Sequence, residues 1–167
     1  MITNPLRPFV PAIYAVGIVM LLVAIGDYSG QLWPFRPTDV GWRYGAVGIF
    51  SNFLVTPVFA LLLIGAAAAV GGHRIMLRIL GVIGIGFTAA LLVSIALFSL
   101  DALQVRQQAE PGAKWLTTIS ASMAAAKLLM AAVVSFILGL GTLKASKVIG
   151  GPERQGRERT GLVVGTS

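Results

Sequence analysis

The sequence predicts an all-α integral membrane protein: four transmembrane helices in an antiparallel bundle. Three observations carry this. Of 167 residues, 56% are hydrophobic and only 11% are charged, where soluble domains carry about 25% charged residues. The mean hydropathy is +0.86. Four apolar stretches, residues 9–26, 42–70, 75–100 and 115–143, are long enough to cross a bilayer, which takes about 20 residues each. These stretches use most of the chain, so residues 1–149 read as one transmembrane domain and residues 150–167 as a basic tail.

Charge orients the bundle. Arg7, Arg74, Arg78, Lys144, Lys147, Arg154, Arg157 and Arg159 fall on one side; Arg36, Arg43, Arg106 and Lys114 fall on the other. Positive charge marks the cytoplasmic side. The expected placement is a bacterial inner membrane, multi-pass, with both termini cytoplasmic. The net charge of +7 is thereby explained without nucleic acid. There is no cysteine and a single histidine, His73. Thiolate metal sites, iron–sulfur clusters, cysteine nucleophiles and multi-histidine metal or haem sites therefore cannot be built from this chain alone. No catalytic constellation is visible, and the chain reads as a non-enzyme with no cofactor of its own beyond lipid or pigment contacts.

Pro5, Pro8 and Pro11 forbid a regular helix before Pro11, which fits a first helical turn. The first span has the look of a signal peptide, with Ala24-Ile25-Gly26 as a small-residue cleavage site; we read it as a retained anchor and first helix. Residues 27–44 form an outer loop, where Pro34 and Pro37 exclude a long helix. Its Tyr28, Trp33, Phe35, Trp42 and Tyr44 suit the headgroup layer. Trp33, Trp42 and, at the fourth span, Trp115 are the expected interface anchors.

The second span shows a small face of Gly45, Gly48, Asn52, Thr56, Ala60 and Ala67, and Pro57 should kink it near mid-membrane. Gly71 and Gly72 end it, and a short turn through His73 makes spans two and three an antiparallel hairpin. Gly81, Gly84, Thr88 and Leu91 give the third span its packing face. The Gly81-x-x-Gly84-x-Gly86 run lies inside an apolar helix with no strand before it, so it is not a phosphate loop. This helix should continue to about Gln108, and Glu110-Pro111-Gly112 is a turn.

The fourth span holds Lys127. A lysine inside a hydrophobic span is costly, by a few kcal/mol or more, and needs a partner or a wet cavity. Its own face, Thr117, Ser120, Ala124, Ala131, Ser135, Gly139 and Thr142, is small or hydroxylated, whereas Met123, Met130, Val133 and Ile137 lie opposite. Small faces pack on helices in membranes, so Lys127 is expected to point into protein, with Ala124 and Ala131 packing beside it. Helix rise places Lys127, Asn52, Thr88 and Tyr14 each roughly 15–18 Å from the outer end of its span. They form an expected intramembrane polar layer: a hydrogen-bonded clasp, a binding or proton site, or a place where Lys127 reaches a group on another protein or a cofactor.

The layout is similar to that of the small multidrug-resistance exporters, but the membrane-embedded glutamate of their first helix is missing. It also resembles, in span count and loop style over the whole chain, the small accessory helical subunits of bacterial phototrophic reaction-centre–light-harvesting complexes. The resemblance implies a non-catalytic accessory subunit packed among other integral membrane subunits. With no mid-span histidine to ligate a pigment, such a subunit would be a spacer or clamp. A small oligomeric transporter using the polar layer around Lys127 is the alternative. In the tail, Arg154, Arg157 and Arg159 suit anionic lipid or an acidic partner face, and Leu162, Val163 and Val164 suit a shallow groove. The tail is expected to lie along another subunit.

Overall fold

The computed structural model describes residues 5–149. The tail residues Arg154, Arg157, Arg159, Leu162, Val163 and Val164 lie outside the described residues. A 3-10 turn, Arg7–Phe9, leads into five helices: α1 Val10–Gln31, α2 Val40–Phe53, α3 Val55–Gly71, α4 Arg74–Gln108 and α5 Lys114–Val148. Three of the helical segments are long and apolar enough to cross a membrane, and the bent pair α2–α3 makes four if counted as one span.

The first loop is shorter than the sequence suggests. Residues 27–31 continue α1, and the chain leaves the helix only where Pro34 forbids it. After the loop, the Asp39 carboxylate caps α2, its Oδ1 accepting from the backbone N–H of Gly41 at 2.7 Å and of Trp42 at 3.2 Å. The second span is indeed broken: α2 and α3 meet at Leu54 with a 42° bend. Pro57 explains the position. It has no N–H for the Phe53 carbonyl four residues earlier, so the ladder lapses there and resumes with Val58 N–H to the Leu54 carbonyl at 3.2 Å. Gly72, at φ 71°, takes the left-handed cap conformation that ends α3, and the His73 N–H reaches back to the Ala68 carbonyl at 2.9 Å.

The centre of the fold is the α4–α5 hairpin. A side-chain carbon added at Gly84 would lie 3.0 Å from both the Gly139 Cα and the Ser135 carbonyl oxygen; one at Gly139 would lie 3.0 Å from the Ile85 nitrogen. The two backbones therefore touch directly, as small residues allow between apolar helices. Gly81 meets Leu143 and the Gly139 carbonyl at the same crossing. Leu91 and Leu128 continue the seam with Leu54, Ala131 and Ala132. α3 adds Leu61, Ile64 and Ala68 against Leu77 and Leu80 of α4. α1 packs principally on α3, where Gly17 fits against Ile64 and the Ala60 carbonyl.

Two packing expectations are corrected. Gly45 and Gly48 meet no neighbour within 4 Å. The break at Leu54 rotates α2 relative to α3, so the small face of α3, with Ala60 and Ala67 buried, does not extend back through these glycines. Lys127 is exposed, although Ala124 and Ala131 beside it are buried. Leu128, not Lys127, lies at the centre of the inward face, fully buried.

The contrast between glycines is testable. Gly84→Val forces the backbones apart and should cost about 1–3 kcal/mol or more. Gly86→Ala faces open space and should gain about 0.5–1 kcal/mol in helix propensity. Unfolding of the purified chain in mild detergent, followed by helical circular dichroism, reads both.

Candidate functional site

The most polar feature away from the bundle ends is the Lys127–Asn52 pair. The Lys127 ammonium donates to Asn52 Oδ1 at 2.6 Å. α5 supplies the lysine and the last turn of α2 supplies the asparagine, two residues before the break at Leu54. Both side chains are exposed. They border a groove of about 500 Å³ between α3 and α5, whose other walls include Val55, Phe59, Leu62, Met130 and Val134. The site is thus a cation with one neutral partner at the edge of an apolar groove, beside a helix break. Broken helices next to polar groups are a recurrent way to build sites inside membrane proteins.

The other two members of the expected layer are elsewhere. The Thr88 hydroxyl donates to the Gly84 carbonyl at 2.8 Å and to the Ala132 carbonyl at 3.3 Å. It fastens the α4–α5 seam instead of facing Lys127. Tyr14 lies near the start of α1, where its hydroxyl pairs with His73 Nδ1 at 2.9 Å. Counting from Gly26 sets Tyr14 at mid-span, but α1 runs on to Gln31, and α1 packs on α3 in antiparallel fashion. That puts Tyr14 at the end of the bundle with the α3–α4 turn.

Of the tryptophans expected as interface anchors, Trp33 is 82% and Trp115 67% exposed. Trp42 is half-buried and donates its indole N–H to the Leu32 carbonyl at 3.3 Å, with Phe35 edge-on to its ring.

Two clasps at the loop end went unread in the sequence. Arg43 forms a two-pronged pair with Asp101, Nη2 to Oδ1 at 2.7 Å and Nε to Oδ2 at 3.0 Å, while Nη1 donates to the Pro37 carbonyl at 3.2 Å. Asp101 is buried, so this pair ties α2 to the far end of α4. The Tyr44 hydroxyl meets Ser120 Oγ at 2.7 Å and donates to the Thr117 carbonyl at 3.2 Å, joining α2 to α5. Both partnerships cross 58 or more positions of sequence, and no local spacing announces them. Among the described residues no group of three or more His, Asp or Glu is placed to hold a metal ion.

No protein-family model matches this chain, and no curated protein or solved structure shows significant similarity to it. The fold defines the class: an all-α bundle with three helices, or four spans with the bent pair, long and apolar enough to cross a membrane.

The Lys127–Asn52 bond carries a measurable coupling. Asn52→Leu strands the ammonium beside an apolar groove and should destabilise the chain by about 0.6–2 kcal/mol. Lys127→Met in the same background should recover most of that loss, because removing both partners leaves nothing unsatisfied. A double-mutant cycle on unfolding in detergent measures it.

Proposed function

We propose that this chain is a non-catalytic accessory subunit of a bacterial membrane complex, a multi-pass spacer or clamp among other integral subunits. The observation that carries this is outward polarity. Lys127 and Asn52 open onto the exterior of the bundle, and Thr88 and Tyr14 are engaged separately. A transporter would use polar groups gathered along an internal path; a subunit would use a polar spot on an otherwise apolar flank. The flanks support an apolar surrounding. In the most apolar window of each spanning helix only 17% to 33% is buried within the chain, leaving residues such as Leu22, Val82, Val93 and Ile137 exposed.

The antiparallel order gathers Arg7, Arg74, Arg78, Lys144 and Lys147 at one end and Arg36, Arg43, Arg106 and Lys114 at the other. With the tail arginines added to the first group, the basic asymmetry supports an orientation with both termini cytoplasmic. Span count and loop style support a phototrophic assembly as the setting, and a respiratory complex fits the same features. Partner subunits and anionic lipids are the expected neighbours.

Extraction from native membranes in mild detergent, with native gel electrophoresis, tests the proposal. The chain is expected to migrate in an assembly far larger than its 17.5 kDa, together with other integral subunits. Migration free of other proteins would overturn the subunit reading.

A further inference from the structure

We propose that this chain also assembles with copies of itself, Lys127 of one copy pairing with Asp27 of the next. The inference rests on placement in a membrane and not on the accessory-subunit reading.

Lys127 lies well inside the apolar layer. Thr88 touches Ala132 across the α4–α5 seam, and counting in opposite directions along the two helices sets Lys127 level with residue 93 of α4. Asp101, at the loop end, is then roughly 12 Å away along the axis, and Arg78 roughly 22 Å. The four-carbon stem of a lysine does not cover the first distance, and its ammonium is held at Asn52 instead. A neutral amide leaves the charge uncompensated in surroundings where charge is expensive.

One acidic residue of the chain matches this level and lacks a partner. Tyr28 packs on Phe50, with ring centroids 5.1 Å apart. Asp27 precedes Tyr28, and Asn52 is two residues beyond Phe50, so Asp27 and Asn52 lie within about one helical turn of each other along the bundle. Gly17 against Ala60 and Ile64 gives the same registry by counting up α1 and back along α3. Asp27 is exposed, on the α1 flank with Val16 and Val23. It has no hydrogen bond or ion pair among the described residues, where Arg43–Asp101 is the sole salt bridge.

Within one chain the two charges therefore stay apart, on different flanks at one depth. A second copy in the same orientation brings a carboxylate to the ammonium at the correct level. The groove beside Lys127 is open to receive an apolar helix face such as that of α1. Pairing removes two isolated charges from an apolar exterior at once, and the small-residue rule for helix docking is not needed, because the polar bond supplies the specificity.

The test uses the full chain in phosphatidylcholine vesicles. The sequence has no cysteine, so Gln107→Cys gives one label site, and energy transfer between donor and acceptor copies reads self-association. Asp27→Asn or Lys127→Met should weaken association about tenfold or more with helical content unchanged. Asp27→Lys alone and Lys127→Asp alone each set like charges against each other and should not associate. Mixed together they present opposite charges at both contacts, and transfer between them should return to the unsubstituted level. Failure of the mixture to associate overturns the pairing, as does association of the single variants at full strength. A chain that stays monomeric at every protein-to-lipid ratio also overturns it and leaves a lipid phosphate or another protein's acid as the occupant. None of these outcomes bears on whether the chain migrates in a larger native assembly.

Discussion

At the crossing of α4 and α5 the backbones meet with no side chain between them, and the remaining geometry follows from that contact. Gly84 and Gly139 allow it, and nothing larger than hydrogen fits at either position without displacing backbone. Two 35-residue helices are thereby locked in register. The seam runs on through Thr88, Leu91 and Leu128, and the bent pair α2–α3 settles into the cleft of the hairpin. α1 comes last, resting on α3 through Gly17. The Arg43–Asp101 pair and the Tyr44–Ser120 contact then close the loop end.

The same contact decides where Lys127 points. One residue turns an α-helix by roughly 100°. Leu128, eleven residues before Gly139, is only about 20° from it and faces α4; Lys127, twelve before, is about 120° away. Steps of four residues from Lys127 through Ala131 and Ser135 to Gly139 each drift by about 40°, so a row that looks like one face in sequence wraps around the helix. This is why the small face was legible and the direction of the lysine was not. The glycines that matter could be separated only by the partner backbone, because Gly45 and Gly84 look alike in a string of letters.

Other elements divide along the same line. Local chemistry was readable: the proline break after Phe53, the Gly71–Gly72 stop, the turn at Pro111 and the extent of α4 to Gln108 all follow from neighbouring residues. Long-range partnerships were not. Counting from Gly26 sets Tyr14 at mid-span, whereas α1 is five residues longer and Tyr14 lies at the end beside His73. Arg43 reads as a marker of sidedness, and with Asp101 it forms a structural clasp. Asp27 read as the first residue of a loop and is a helical residue on an apolar flank.

In a bilayer the exposed apolar flanks should face hydrocarbon. Single nitroxide labels at Val82, Val93 and Ile137, introduced into this cysteine-free chain in lipid vesicles, measure it through their collision rates with oxygen and with a water-soluble nickel chelate. High oxygen and low nickel accessibility are expected at all three, with the reverse at Arg36 in the loop. Nickel accessibility at Val82, Val93 and Ile137 equal to that at Arg36 would contradict it.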